Sequence, residues 1–259
     1  MTAAAARRPR AVDALPRLIG HRGAADLAAE NTEAGFRKAA ALGARWVEFD
    51  VHLSADGVPV VIHDDTVDRT TDGKGAVAAL TLADLKRLDA GSWFGAAFKG
   101  ARIPTLEETI ALLDELELGA VVEIKPSPGQ EAATAEAAVA MLAKRWPAHL
   151  PAPMVSSFQR PALARAQESA PGIARALTVG ALPADWRQAA DRLGVSAIHA
   201  DHRRLDRATV AMVGQAGLPL FAYTVNDAER AAELYRWGVL ALFTNRPDLL
   251  TAAAREATI

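Results

Sequence analysis

Eight short apolar runs, spaced along the whole chain, constrain this sequence more than any other feature. They are Leu18 to Gly20, Trp46 to Val51, Ala120 to Ile124, Met154 to Phe158, Ala174 to Val179, Ala197 to Ala200, Leu218 to Val225 and Leu240 to Thr244. Most are followed by an amphipathic helical pattern, as in Asn31 to Leu42 and Asp227 to Trp237. Strand and helix alternating over a full chain call for a parallel sheet with helices packed outside it. Eight such units in 259 residues predict an α/β fold, a closed (β/α)8 TIM barrel, with an open doubly wound sheet as the alternative.

Punctuation supports this reading. Asn31 is expected to cap a helix starting at Thr32, and Thr105 one running from Leu106 to Leu116. Gly43, Gly119 and Gly238 stand where helices should stop. Val58 to Ile62 is strand-like but follows Val51 too closely for a parallel crossover. The intervening Asp56-Gly57 is a hairpin signal, so an antiparallel ribbon is expected. A two-residue turn there would pair Ala55 with Val58 and Asp50 with His63, bringing Asp50, His63 and Glu48 to one face. After the ribbon comes an insertion at about residues 64–104, suited to a lid or a recognition element. The expected organisation is a disordered leader at 1–16 and a single barrel domain at 17–259.

Bulk properties narrow the chemistry. There is no cysteine, which removes disulfides, thiolate nucleophiles and thiolate-bound zinc. A net charge of −2 offers no basic field for nucleic acid. Arg7 and Arg8 are not followed by an apolar segment, so neither a secretion signal nor a stable membrane anchor is expected. A cytoplasmic enzyme is the default, and the oligomeric state is left open.

Four polar clusters fall at strand ends or on the ribbon: His21-Arg22-Gly23, Glu48-Phe49-Asp50, His63-Asp64 and Glu123-Ile124-Lys125. The C-terminal ends of barrel strands build the active face. Glu48, Asp50 and Glu123 from neighbouring strands would repel one another unless a cation sat among them. Three carboxylates suit one hard divalent ion, Mg2+ or Ca2+. Arg22 and Lys125 add positive charge for a phosphate, and Arg22 offers a bidentate fork. His21 and His63 titrate near neutrality and are candidates for the acid and the base of a displacement at phosphorus. His52, His149, His199 and His202 are read as structural or surface residues, and Trp46, Phe94, Trp146 and Trp237 as core or packing.

Taken in order, these clusters resemble the glycerophosphodiester phosphodiesterase family. The likeness runs from Leu18 to about Asp248. It includes Glu30-Asn31-Thr32, Asp56 to Val60, Asp68 to Gly73, Ile103 to Glu108, Ser157-Phe158, Thr224-Val225-Asn226 and Thr244 to Asp248. The resemblance implies a β/α barrel with an insertion after His63-Asp64. It implies hydrolysis of a small-molecule glycerophosphodiester to glycerol 3-phosphate and an alcohol. It implies metal ligation by Glu48, Asp50 and Glu123, acid/base work by His21 and His63, and phosphate contact by Arg22 and Lys125. Phe158 and Tyr223 fall at substrate-binding positions. Many members carry Trp where this chain has Tyr223, and Pro where it has Ala29. The first difference bears on the preferred alcohol, the second on a loop. Two other functions compete. One is a lysophospholipid phosphodiesterase using Trp93 and Phe94 as an interfacial wedge; the other is a catalytically silent barrel that senses phosphodiesters.

Overall fold

A computed structural model describes residues 16–250; the expected leader, Pro16 apart, lies outside the described residues. Nine strands occur among these residues: β1 (Leu18–His21), β2 (Trp46–Leu53), β3 (Pro59–Val61), β4 (Gly119–Ile124), β5 (Met154–Ser157), β6 (Ala174–Val179), β7 (Ala197–Asp201), β8 (Leu220–Tyr223) and β9 (Ala241–Thr244). The helices are α1 (Glu33–Ala41), α2 (Leu82–Leu85), α3 (Leu106–Glu115), α4 (Glu131–Arg145), α5 (Arg160–Ser169), α6 (Trp186–Arg192), α7 (Arg207–Gln215) and α8 (Ala228–Trp237). Eight strands pair in parallel, and the β1–β2 and β1–β9 pairings close the ring, so the fold is a TIM barrel with β3 added antiparallel to β2.

Every second residue of a barrel strand points inward. Ile19, Trp46, Val121, Met154, Ala174, Ala176, Ala197, Phe221, Ala241 and Phe243 make a dry inner plug. Further along the same faces the inward residues turn polar: Glu48 and Asp50, Glu123, Ser156, Thr178 and His199. The plug seals the lower part of the barrel, and the polar layer above it forms the floor of a site. Outside the ring, larger apolar clusters join strands to helices; Phe36 of α1, for instance, meets Phe49 of β2 edge-on at 5.7 Å.

Three local details differ from the sequence expectations. The ribbon turn holds three residues, not two. Gly57 N donates to Ser54 O, Ser54 N donates to Val58 O, and Gly57 sits at φ 76°. A left-handed residue closing a three-residue loop shifts the register by one. Val51 therefore faces Val61, and Asp50 sits opposite Ile62 rather than His63. Ser54 fixes this turn: its hydroxyl donates to Asp56 and accepts from Val58 N.

The second detail is the cap of α1. It is Thr32, whose hydroxyl accepts from Gly35 N, which leaves Asn31 at φ 54° free for another role. The third is Gly119, which opens β4 instead of ending α3. A Cβ there would lie 2.4 Å from the Trp46 indole, so the inner plug demands glycine, while Glu117 at φ 53° turns the chain out of the helix.

The insertion has a small core of its own. Val67, Val77, Leu85, Ala90 and Ile103 pack on Val60 and Ile62 of the ribbon. Its Trp93 is held in place, with Nε1 donating to Ala90 O and the ring edge-on to Phe94 at 5.5 Å.

Candidate active site

Strand register brings the acidic residues together. His21 is level with Glu48 across β1–β2, and Asp50 is level with Glu123 across β2–β4. Each of Glu48, Asp50 and Glu123 offers a carboxylate oxygen within 4.8 Å of the others. All nine side chains singled out from the sequence, including Phe158 and Tyr223, line one cavity of about 370 Å³ at the C-terminal mouth of the barrel. His63 reaches it although the ribbon register differs from expectation, because it follows the end of β3 and turns inward. Its Nε2 lies 2.9 Å from Lys125 Nζ.

The His-Arg-Gly element is built around close backbone approach. A Cβ on Gly23 would lie 2.5 Å from the Gly35 carbonyl carbon, and one on Gly20 2.3 Å from Gly23 O. Arg22 itself adopts φ 50°, a conformation that costs a non-glycine residue about 1 kcal/mol or more. The gain is local: Arg22 N donates to Glu48 Oε2 at 3.1 Å, while its guanidinium reaches Glu30 at 2.9 Å and lies 3.4 Å from Asp50.

Electrostatics bear on what the three carboxylates can hold. Burial, then the neighbouring Asp50 and Glu123 charges, push the Glu48 carboxyl well above the usual range. Burial and Asp50 push Glu123 up to about 7. Asp50 alone stays low: burial would raise it, but Arg22 first, then His63 and Lys125, hold it down, helped by the Asn31 Nδ2 hydrogen bond at 2.9 Å. A buried group of three acids, two of which cling to protons, is the donor set a hard divalent cation fits. On this test Glu48, Asp50 and Glu123 can hold such an ion.

The two imidazoles differ in what stands behind them. His21 accepts no charge from its partner: its Nδ1–H donates to the Asn245 side-chain oxygen at 2.6 Å, and burial followed by the Arg22 charge lowers its pKa to about 4. His63 Nδ1 instead meets Asp64 at 2.5 Å. Burial lowers the His63 pKa too, against the pull of Asp50 and Asp64. Asp64 is held below the ordinary carboxylate range chiefly by its hydrogen bonds from Arg69.

Several members of this site were not picked out from the sequence. Arg69, from the insertion, donates to Glu30 through both terminal nitrogens, at 2.8 and 2.7 Å, and to Asp64 at 2.7 Å. It thereby ties the supports of Arg22 and His63 together. Asn31, Asn245, Glu30 and Asp64 all lay inside the quoted motifs, but their type alone named caps and turns. His199 and His202, read from the sequence as structural or surface residues, line the cavity as well.

Residues 21–249 match the model of the glycerophosphoryl diester phosphodiesterase family. A glycerophosphodiester phosphodiesterase from Caldanaerobacter subterraneus is 34% identical over 244 residues, covering 92% of this chain and 98% of that one. A phosphodiesterase from Oleispira antarctica, solved in complex with the product sn-glycerol-3-phosphate, superposes with a TM-score of 0.92 at 40% identity, covering 95% of this chain and 99% of that one. A glycerophosphodiester phosphodiesterase from Agrobacterium tumefaciens gives 0.74 at 30% identity, covering 92% of this chain and all of that one (100%).

Proposed function

The chain belongs to the glycerophosphoryl diester phosphodiesterase family, and from that membership we propose that it cleaves glycerophosphodiesters to glycerol 3-phosphate and an alcohol with one bound divalent cation and two histidines. It is a glycerophosphodiester phosphodiesterase; the cation and the division of labour between the histidines are inferred from the arrangement of the site. The observation that carries this reading is the meeting of three buried carboxylates with Arg22, Lys125, His21 and His63 in one cavity.

In this reading Glu48, Asp50 and Glu123 would hold Mg2+ or Ca2+, which would supply neutralisation of the phosphate charge. Arg22 and Lys125 grip the remaining phosphate oxygens with charge-assisted hydrogen bonds. The phosphate takes Lys125 Nζ away from His63 Nε2, which leaves that nitrogen free to carry a proton. Asp64 behind the ring balances the imidazolium, as a carboxylate on Nδ1 does in other acid/base pairs. His63 then protonates the departing alcohol oxygen. His21, backed only by a neutral amide, keeps the lone pair on Nε2 and takes the proton of the attacking hydroxyl. The attacker is water or the substrate's own glycerol hydroxyl; both lose their proton at the same place.

The alcohol leaves past Phe158, which is 46% exposed at the rim and packs edge-on against Tyr223 at 6.0 Å. Tyr223 contributes its ring and not its hydroxyl, which already donates to Val179 O at 2.8 Å.

The direct test is a product assay on glycerophosphocholine with Mg2+ or Ca2+ supplied. Release of glycerol 3-phosphate and choline is expected. Glycerol and phosphocholine as the products would mean that the opposite P–O bond breaks, and would overturn the assignment of the two arms.

A further inference from the structure

His63 follows the end of the ribbon, so its main chain needs a hold of its own. Ile62 N still donates to Asp50 O, but His63 lies beyond Val61, where β3 stops. Asp64 and Lys125 fix its ring. Its backbone is fixed by a second histidine: the His63 carbonyl accepts from His52 Nε2 at 3.1 Å. A carbonyl can only accept, so Nε2 carries the proton. On the far side of the same turn, Val77 N of the insertion donates to Asp65 O at 2.9 Å.

Strand β2 places His52 for this contact. It pairs with Val60 across the ribbon and shares a strand face with Asp50, two residues before it. It is 1% exposed. Its Nδ1 has no hydrogen-bond partner, and Asp65 Oδ1, at 3.9 Å, is out of reach. Burying an imidazole with one nitrogen unpaired costs stability that an apolar side chain would not lose. Packing alone would thus be better served by an apolar residue, and what histidine adds here is the bond from Nε2 to His63.

Resting on the acid role given to His63 above, we infer that His52 is a positioning residue for the reaction: it holds the His63 main chain so that the ring meets the leaving-group oxygen. It acts through His63 and makes no contact with substrate. Misplacing a reacting group by about 1 Å costs about 100-fold in rate, so loss of this bond shows in kcat and not in KM.

The test uses two variants of similar shape. His52→Met fills the space and removes the donor, whereas His52→Gln puts an amide nitrogen where Nε2 stood. Both are assayed with Mg2+ on glycerophosphocholine and on the corresponding p-nitrophenyl diester, alone and combined with His63→Ala. His52→Met should lower kcat on glycerophosphocholine about 10- to 100-fold with little change in KM. On the p-nitrophenyl diester, whose leaving group needs little help from a proton, the loss should stay below about threefold. His52→Gln should recover most of the loss. Added to His63→Ala, His52→Met should cost almost nothing more, because the group it positions is gone. Loss on both diesters alike, through misfolding or a damaged site, would make His52 a structural residue and overturn the inference. So would an equal loss in both backgrounds, or unchanged turnover. His63→Ala by itself separates this inference from the function it rests on. If that variant loses equally on both diesters, the acid role and the inference fall together; if it spares the p-nitrophenyl diester and His52→Met does not, only the inference falls.

Discussion

Lys125 Nζ lies 2.9 Å from His63 Nε2, while His63 Nδ1 is bound to Asp64. Because Nδ1 carries the proton toward the carboxylate, Nε2 is the acceptor and the lysine ammonium donates. Substrate phosphate must compete for that ammonium. Lys125→Met therefore removes a phosphate contact while leaving His63 in place. We predict that kcat/KM for glycerophosphocholine falls about 10- to 100-fold, the value of one charge-assisted hydrogen bond. Steady-state kinetics check this, and unchanged kcat/KM would remove Lys125 from substrate binding.

The unequal backing of the two histidines predicts unequal responses to the leaving group. If His63 protonates the departing oxygen, a diester with a p-nitrophenol leaving group needs that proton little. His63→Ala should then lose about 10²- to 10⁴-fold on glycerophosphocholine but far less on the p-nitrophenyl diester. His21→Ala should lose comparably on both. The reverse pattern would exchange the two roles.

The register difference in the ribbon explains how much of this arrangement was legible beforehand. Glu48, Asp50, Glu123, His21 and His63 could be gathered from sequence because strand ends in a barrel converge whatever the details between them. The pairing of Asp50 with Ile62 could not, since Asp56-Gly57 is compatible with both a two-residue and a three-residue turn. The Ser54 hydroxyl, acting on Asp56 and Val58, selects between them. Asn31 looked like a helix cap because that is what asparagine before Thr-Glu ordinarily is. Its place at φ 54°, bonded to Asp50, is a tertiary fact. His199 in an apolar strand looked like core, and it does pack on Phe221 and Phe243 of the next two strands, β8 and β9; that it also faces the cavity follows only from the closed barrel.

Proton release is a further consequence of the acidic cluster. Without a cation, Glu123 titrates at about 7 and Glu48 is also raised, because burial and mutual repulsion disfavour their charged forms. Binding a divalent ion requires them ionised, so protons must leave as the ion enters. Affinity should therefore weaken as pH falls below about 7. Calorimetric titration at pH 7 in buffers of different ionisation enthalpy should show a buffer-dependent heat corresponding to net proton release. A heat independent of the buffer would mean that the carboxylates are already ionised.

His199 gives a pH-dependent stability of definite sign. Its pKa is about 3 when folded against 6.5 for the ordinary side chain, owing to burial. Between these values the unfolded chain binds the extra proton, so this contribution to stability is complete above 6.5 and is lost as pH falls. From pH 7.5 to pH 5 the loss should be about 2 kcal/mol. His199→Phe keeps an aromatic ring against Phe221 and removes the titration. Urea unfolding at both pH values should give a smaller drop for the variant by about that amount. Identical drops would show that His199 is not neutral and buried in solution.

Chelation decides whether catalysis needs a divalent cation held by Glu48, Asp50 and Glu123. Turnover of glycerophosphocholine should vanish after exhaustive treatment with EDTA and return on adding Mg2+ or Ca2+. Titration of the metal-free protein should show one ion bound per chain in the wild type, and none, with no recovery of turnover, in Glu123→Gln. Full turnover in the presence of the chelator would contradict the account.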